Sequence, residues 1–85
     1  MTPQGLRELV EGDPLNDNEV ELLLRAAQGE SAKATAEAMN YADDTIKTMR
    51  KYAIAKLGAK NITHAVGIAL ARGIINPDHI EPLDD

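Results

Sequence analysis

The chain contains no cysteine, tryptophan or phenylalanine, and its only aromatic residues are Tyr41 and Tyr52 among 85 residues. Without cysteine there can be no disulfide and no thiolate metal site. Its two histidines, His64 and His79, are too few and too far apart to make a metal cluster. So few aromatics argue against the base-stacking platforms of single-stranded nucleic-acid binders. No apolar run approaches the length of a bilayer span, and no basic-then-apolar start marks a signal peptide, so a cytoplasmic location with no membrane partner is expected. The close carboxylate pairs Glu19/Glu21 and Asp43/Asp44 fall at helix starts, where acids complement the dipole. Ser31 has no histidine beside it in the inferred fold, and the glycines form no phosphate-cradling pattern. No enzyme activity, cofactor, metal or small-molecule ligand is therefore expected.

Charge of one sign is scarce in places. The net charge is −5, the wrong sign for a simple nucleic-acid binder. Residues 1–30 hold two basic and seven acidic groups, residues 31–61 six basic and three acidic, and residues 62–85 one basic and four acidic. The positive charge is thus confined to the middle third of an otherwise acidic chain, and distribution matters more than the sum. A chain of this length makes one small domain with a modest core, marginal alone or stabilised by association.

Apolar residues follow helical spacing throughout. Leu6, Leu9 and Val10 suggest a short helix or turn that Gly12-Asp13-Pro14 ends. Asn16 and Glu19 form a capping-box pair, with Leu15 and Val20 at the staple positions. Val20, Leu23, Leu24 and Ala27 then make an inner stripe, and Gly29 suits the position just past the helix. Ser31 caps a short helix whose inner face is Ala32, Thr35, Ala36 and Met39. Asn40-Tyr41 turns the chain into a helix over 43–57 that starts on Ala42, a poor cap, and ends at Gly58. Asn61 caps a last helix, 62–72, with Ile62, Ala65, Val66 and Ala69 inward and Gly73 at its end. The tail 76–85 is acidic, holds two prolines, and reads as flexible.

The helix over 43–57 carries most of the functional information. Ile46, Met49, Ala53 and Leu57 make its apolar stripe, while Asp44, Lys47, Thr48 and Lys51 recur at i, i+3, i+4 and i+7 on the opposite side. A helix that buries one face and shows Lys/Thr/Lys on the other suits the DNA major groove, about 12 Å wide. It is also the pattern of any solvated helix, so context decides. That context is a preceding short helix joined by a tight turn, the helix-turn-helix arrangement.

Further landmarks stand in register along the chain: Leu15 and Glu19, Gly29-Glu30-Ser31-Ala32-Lys33, Ala36, Thr45-Ile46-Lys47, Lys56-Leu57-Gly58-Ala59-Lys60-Asn61, Thr63, Ala65-Val66, Ala69 and Gly73-Ile74-Ile75. On these residues the segment 15–75 resembles the LuxR/GerE-type DNA-binding domain. The resemblance implies an all-α fold, a four-helix LuxR/GerE-type helix-turn-helix domain, here with a short extra N-terminal helix or turn over 1–14. It implies a bacterial or phage transcriptional regulator that binds two-fold-related sites on double-stranded DNA as a homodimer. Base contacts would fall to Lys47, Thr48 and Lys51, and phosphate contacts to Lys33, Thr45, Arg50 and Lys56. The bland reading of Lys56 is a last-turn cation that complements the helix dipole; that of Lys33 is a solvated helix lysine. The dimer interface would be Val66, Gly67, Ile68, Leu70 and Ala71. These residues leave the last helix apolar nearly all round, unless Leu6, Leu9 and Val10 cover it within one chain.

Departures from the family pattern temper the phosphate grip. Ala32 replaces a common asparagine, Thr35 a large aliphatic, Met49 a common histidine and Ala42 a serine cap. Asn16-Asp17-Asn18 replaces Thr-Pro-Arg. His64 replaces an acid near the start of the last helix, so that capping box is expected to be lost. A Met start with no room for a receiver or ligand-binding module reads as a stand-alone regulator. A competing reading is a protein-binding antagonist or adaptor that pairs with another regulator or with RNA polymerase without reading DNA. A sigma-factor region-4-like module shares part of the pattern, but the segment from Lys56 to Val66 favours the LuxR type.

Overall fold

Side-chain caps decide where the helices start. Asn16 Oδ1 accepts the Glu19 N–H at 2.8 Å, and Glu19 Oε1 accepts the Asn16 N–H at 2.9 Å, closing the expected capping box. Ser31 Oγ accepts the Ala34 N–H at 3.1 Å, and Asn61 Oδ1 accepts the His64 N–H at 2.8 Å. In the computed structural model, which describes residues 3–82, these caps open three of five helices. The order is α1 (Pro3–Val10), α2 (Asp17–Ala27), α3 (Ala32–Met39), α4 (Asp43–Lys56) and α5 (Ile62–Ala71), followed by a 3-10 turn at Pro77–His79. The described residues contain no strand, so the all-α reading holds.

α4 starts without a side-chain cap: Ala42 makes no cap hydrogen bond, and Asp43 and Asp44 stand in its first turn. Left-handed residues close the other ends. Asn40 (φ 65°) ends α3, and the Tyr41 N–H returns to the Ala36 carbonyl at 2.9 Å. Gly58 (φ +66°) ends α4, and the left-handed backbone there selects glycine.

The core joins Leu22, Leu23, Ala53, Leu57, Ala59, Ala65, Ala69 and Ile75. Four of these eight are alanines, so the helices approach closely and few large side chains fill the interior. Leu22 is fully buried although it lies outside the stripe read from the sequence. The reason is that α2 packs against α3, α4 and α5, and so buries a wider sector than one stripe. Met49, expected to be buried, is half-buried.

Three local details bear on the expectations. The capping box expected to be lost at His64 is absent: His64 Nδ1 accepts the Lys60 N–H at 3.0 Å, one residue before the cap, and not the Asn61 N–H. Leu6, Leu9 and Val10 do not shield α5, because α1 packs on α4 and Leu9 stays exposed. In the tail expected to be flexible, residues 76–81 make hydrogen bonds. Asn76 Oδ1 accepts the Asp78 N–H, and Gln28 clamps the chain by donating to the His79 carbonyl and accepting the Glu81 N–H, at 2.9 and 2.8 Å. Residues 83–85 of the tail lie outside the described residues.

The uncapped start of α4 makes a direct prediction. Ala42 already has the extended backbone of a capping residue (φ −68°, ψ 150°), so Ala42→Ser should raise unfolding free energy by about 1 kcal/mol in urea titration.

Candidate nucleic-acid interface

α3, the three-residue turn Asn40-Tyr41-Ala42 and α4 form a helix-turn-helix. The pair is pinned by buried and half-buried polar groups. Thr35, fully buried, donates its hydroxyl to Glu30 Oε1 at 3.2 Å. The other carboxylate oxygen of Glu30 pairs with Arg25 at 3.2 Å, and Arg25 also pairs with Glu21 at 2.8 Å. From α4, Arg50 donates to the Glu30 carbonyl at 3.2 Å. Asn18 at the start of α2 donates to the Tyr41 hydroxyl in the turn at 2.9 Å. Asn18 therefore serves the helix-turn-helix, although it stands where the family pattern has arginine.

The strongest tie runs from α2 to the far end of α4. Lys56 Nζ lies 2.7 Å from Glu19 Oε1, with side chains only 14% and 5% exposed. The same Glu19 oxygen accepts the Asn16 N–H, so one carboxylate caps α2 and anchors α4.

Set against the expected contacts, these bonds divide the cations. Lys47, Thr48 and Lys51 are all exposed on α4, as base-reading residues must be, and Thr45 and Lys33 are exposed as well. Two of the expected phosphate contacts, Lys56 and Arg50, are bonded within the chain. Lys56 is committed to Glu19. Arg50 is half-buried, is bonded to the Glu30 carbonyl, and has its Nε buried without a hydrogen-bond partner. Both point inward because α4 needs polar anchors to α2 and to the loop before α3. The tie could be sought from Glu19, an acid in the first turn of α2 that needs a cation once buried. Nothing in the local sequence pairs residues 37 positions apart. Lys60, exposed in the loop after α4, is a further free cation that was not singled out.

On α5, Gly67 and Ala71 are exposed, one turn apart, while Val66, Ile68 and Leu70 are half-buried and packed against the core. The apolar surface left over is thus narrower than the sequence suggests. Among the described residues there is no group of three or more His, Asp or Glu able to hold a metal ion, and no helix is long and apolar enough to cross a membrane.

A tight helix-turn-helix presenting Lys, Thr and Lys from its second helix defines a DNA-binding regulatory domain. The family described as bacterial regulatory proteins, luxR family (GerE), matches residues 13–69, and the chain belongs to that family. A curated relative, the transcriptional activator protein BjaR1 of Bradyrhizobium diazoefficiens, is 38% identical over 77 residues, which cover 85% of this chain and 32% of that protein. The chain thus spans about a third of the length of this relative. No solved structure gives a significant match.

Lys56→Met should lower unfolding free energy by about 3 kcal/mol or more in urea titration, because it leaves Glu19 buried without its counter-ion. A lysine serving phosphate instead would lose DNA affinity on substitution with stability unchanged.

Proposed function

We propose that this chain is a sequence-specific, DNA-binding transcriptional regulator that places α4 in the major groove and binds two-fold-related sites as a homodimer. The observation that carries the reading is the exposure of Lys47, Thr48 and Lys51 on the outward side of the second helix of the helix-turn-helix. A helix with side chains is about 10–12 Å across and fits a groove about 12 Å wide. Lys47 and Lys51 would donate to guanine O6 or N7, and Thr48 would meet a thymine methyl. Lys33 and Thr45, with Lys60 added, would hold phosphates, which fix register without reading sequence. Arg50 and Lys56 support this surface from behind.

The homodimer would use the α5 surface around Gly67 and Ala71, bordered by Val66, Ile68 and Leu70. Small residues one turn apart let a second helix approach closely, and the half-buried aliphatic side chains would complete their burial there.

A second reading is a protein-binding antagonist or adaptor acting on another regulator or on RNA polymerase. The net charge of −5 and the internal bonding of Arg50 and Lys56 favour it, since both reduce the charge available to phosphate.

Selection from a randomised duplex pool, followed by anisotropy titration, decides between them. Recovery of a two-fold-symmetric site, with Lys47→Ala or Lys51→Ala each losing about 1–3 kcal/mol of discrimination at one base position, supports the reader. Lys33→Ala should weaken all sites alike and reduce the salt slope by about 0.9. No enrichment by the folded protein at low salt would favour the antagonist. For the dimer, Ala71→Glu, at an exposed position of α5, should shift sedimentation toward the monomer and abolish preference for two-fold sites while the helix content stays unchanged.

A further inference from the structure

Ala55 stands nine residues after Ile46, about two and a half helical turns, and so on the opposite side of α4. That is the side of Thr48 and Lys51, which lie seven and four residues before it and are exposed. Ala55 should be exposed with them, yet it is only 5% exposed. α1 packs on α4, and the bonds of the segment around it fall at this end. The Gly12 N–H, just past α1, donates to the Lys56 carbonyl at 2.9 Å, and the Arg7 guanidinium donates to the Ala59 carbonyl. The Glu11 carboxylate lies against Gly58. α1 precedes the stretch that matches the family, which begins at residue 13.

We infer that α1 is an autoinhibitory cover laid over the last turns of the DNA-facing side of α4, and that it leaves when α4 seats fully in the groove. The inference rests on the DNA reading above. A groove about 12 Å wide accommodates one helix of about 10–12 Å diameter and has no room for a second stacked on its outward side. α1 also brings Glu8 and Glu11 to this end of the molecule, while the positive charge of Arg7 is spent on a backbone carbonyl. Carboxylates beside the reading face oppose the approach of phosphates. The dock is light enough to open: Leu6, Arg7 and Val10 are half-buried, whereas Glu8 and Leu9 face solvent. Segments with so few buried apolar contacts open locally at low free-energy cost.

A covered state lowers apparent affinity by the fraction of molecules that are open. With an open state populated at about 0.1–10%, undocking should tighten DNA binding by about tenfold or more. The test uses the full chain and the duplex recovered by selection, or a random duplex at low salt if none is recovered. Leu6→Asp/Val10→Asp undocks α1 through its apolar side, and Arg7→Ala does so more gently should the first variant fold poorly. Hydrogen exchange of the α1 amides in the unsubstituted protein, with and without duplex, needs no variant. The expected result is tighter binding by the undocked variants, still dependent on Lys47 and Lys51, together with loss of α1 protection when DNA is added. Binding by an undocked variant alone, where the unsubstituted chain shows none, also supports the cover. Binding that depends on Lys47 and Lys51 but is unchanged or weakened on undocking, with α1 protection retained on DNA, overturns the cover alone. Binding indifferent to Lys47→Ala and Lys51→Ala, or absent from every variant, overturns the DNA reading and the cover with it.

Discussion

One carboxylate holds the architecture together. Glu19 accepts the Asn16 backbone at the start of α2 and the Lys56 ammonium at the end of α4, and it is almost wholly buried in doing so. An interior in which four of eight core residues are alanine offers few bulky side chains to lock helix orientation. A buried ion pair adds little net stability compared with an apolar pair. It does penalise any arrangement that separates the charges. The direction of α4, and with it the direction in which Lys47, Thr48 and Lys51 point, therefore depends on a contact on the far side of the helix.

The same logic sorts the positive charge of the middle third. Lys56 and Arg50 face inward as structural anchors, and Lys33, Lys47, Lys51 and Lys60 face water. A chain with net charge −5 gains little from non-specific attraction to DNA, since that attraction scales with the phosphates neutralised. Under the proposed function, binding by such a surface would lean on base contacts and on the doubling of sites in a homodimer. The inferred α1 cover would act in the same direction, by limiting access to the proposed reading face until a full groove contact displaces it.

Much of the fold was legible because it rests on local chemistry. Asn16, Ser31 and Asn61 each take the cap predicted for them, and the uncapped Ala42 is found without one. Asn40, Gly29 and Gly58 adopt the left-handed backbone at helix ends. The contacts that were not legible share a cause. Leu22 and Ala55 are buried by neighbours that no periodicity announces, and His64 and Gln28 find backbone partners outside the patterns by which caps and tails are read.

The sequence by itself determined the helices, their order, the tight turn between α3 and α4, and the membership of the luxR family. These follow from capping, turn chemistry and spacing, which act over a few residues and leave their mark in the string. Only the tertiary structure decided which cations are free. A lysine becomes an anchor or a surface charge according to what lies across from it, and Glu19 lies 37 residues from Lys56 along the chain. It likewise decided that α1 packs on α4, since amphipathicity says that a face is covered but not by which helix.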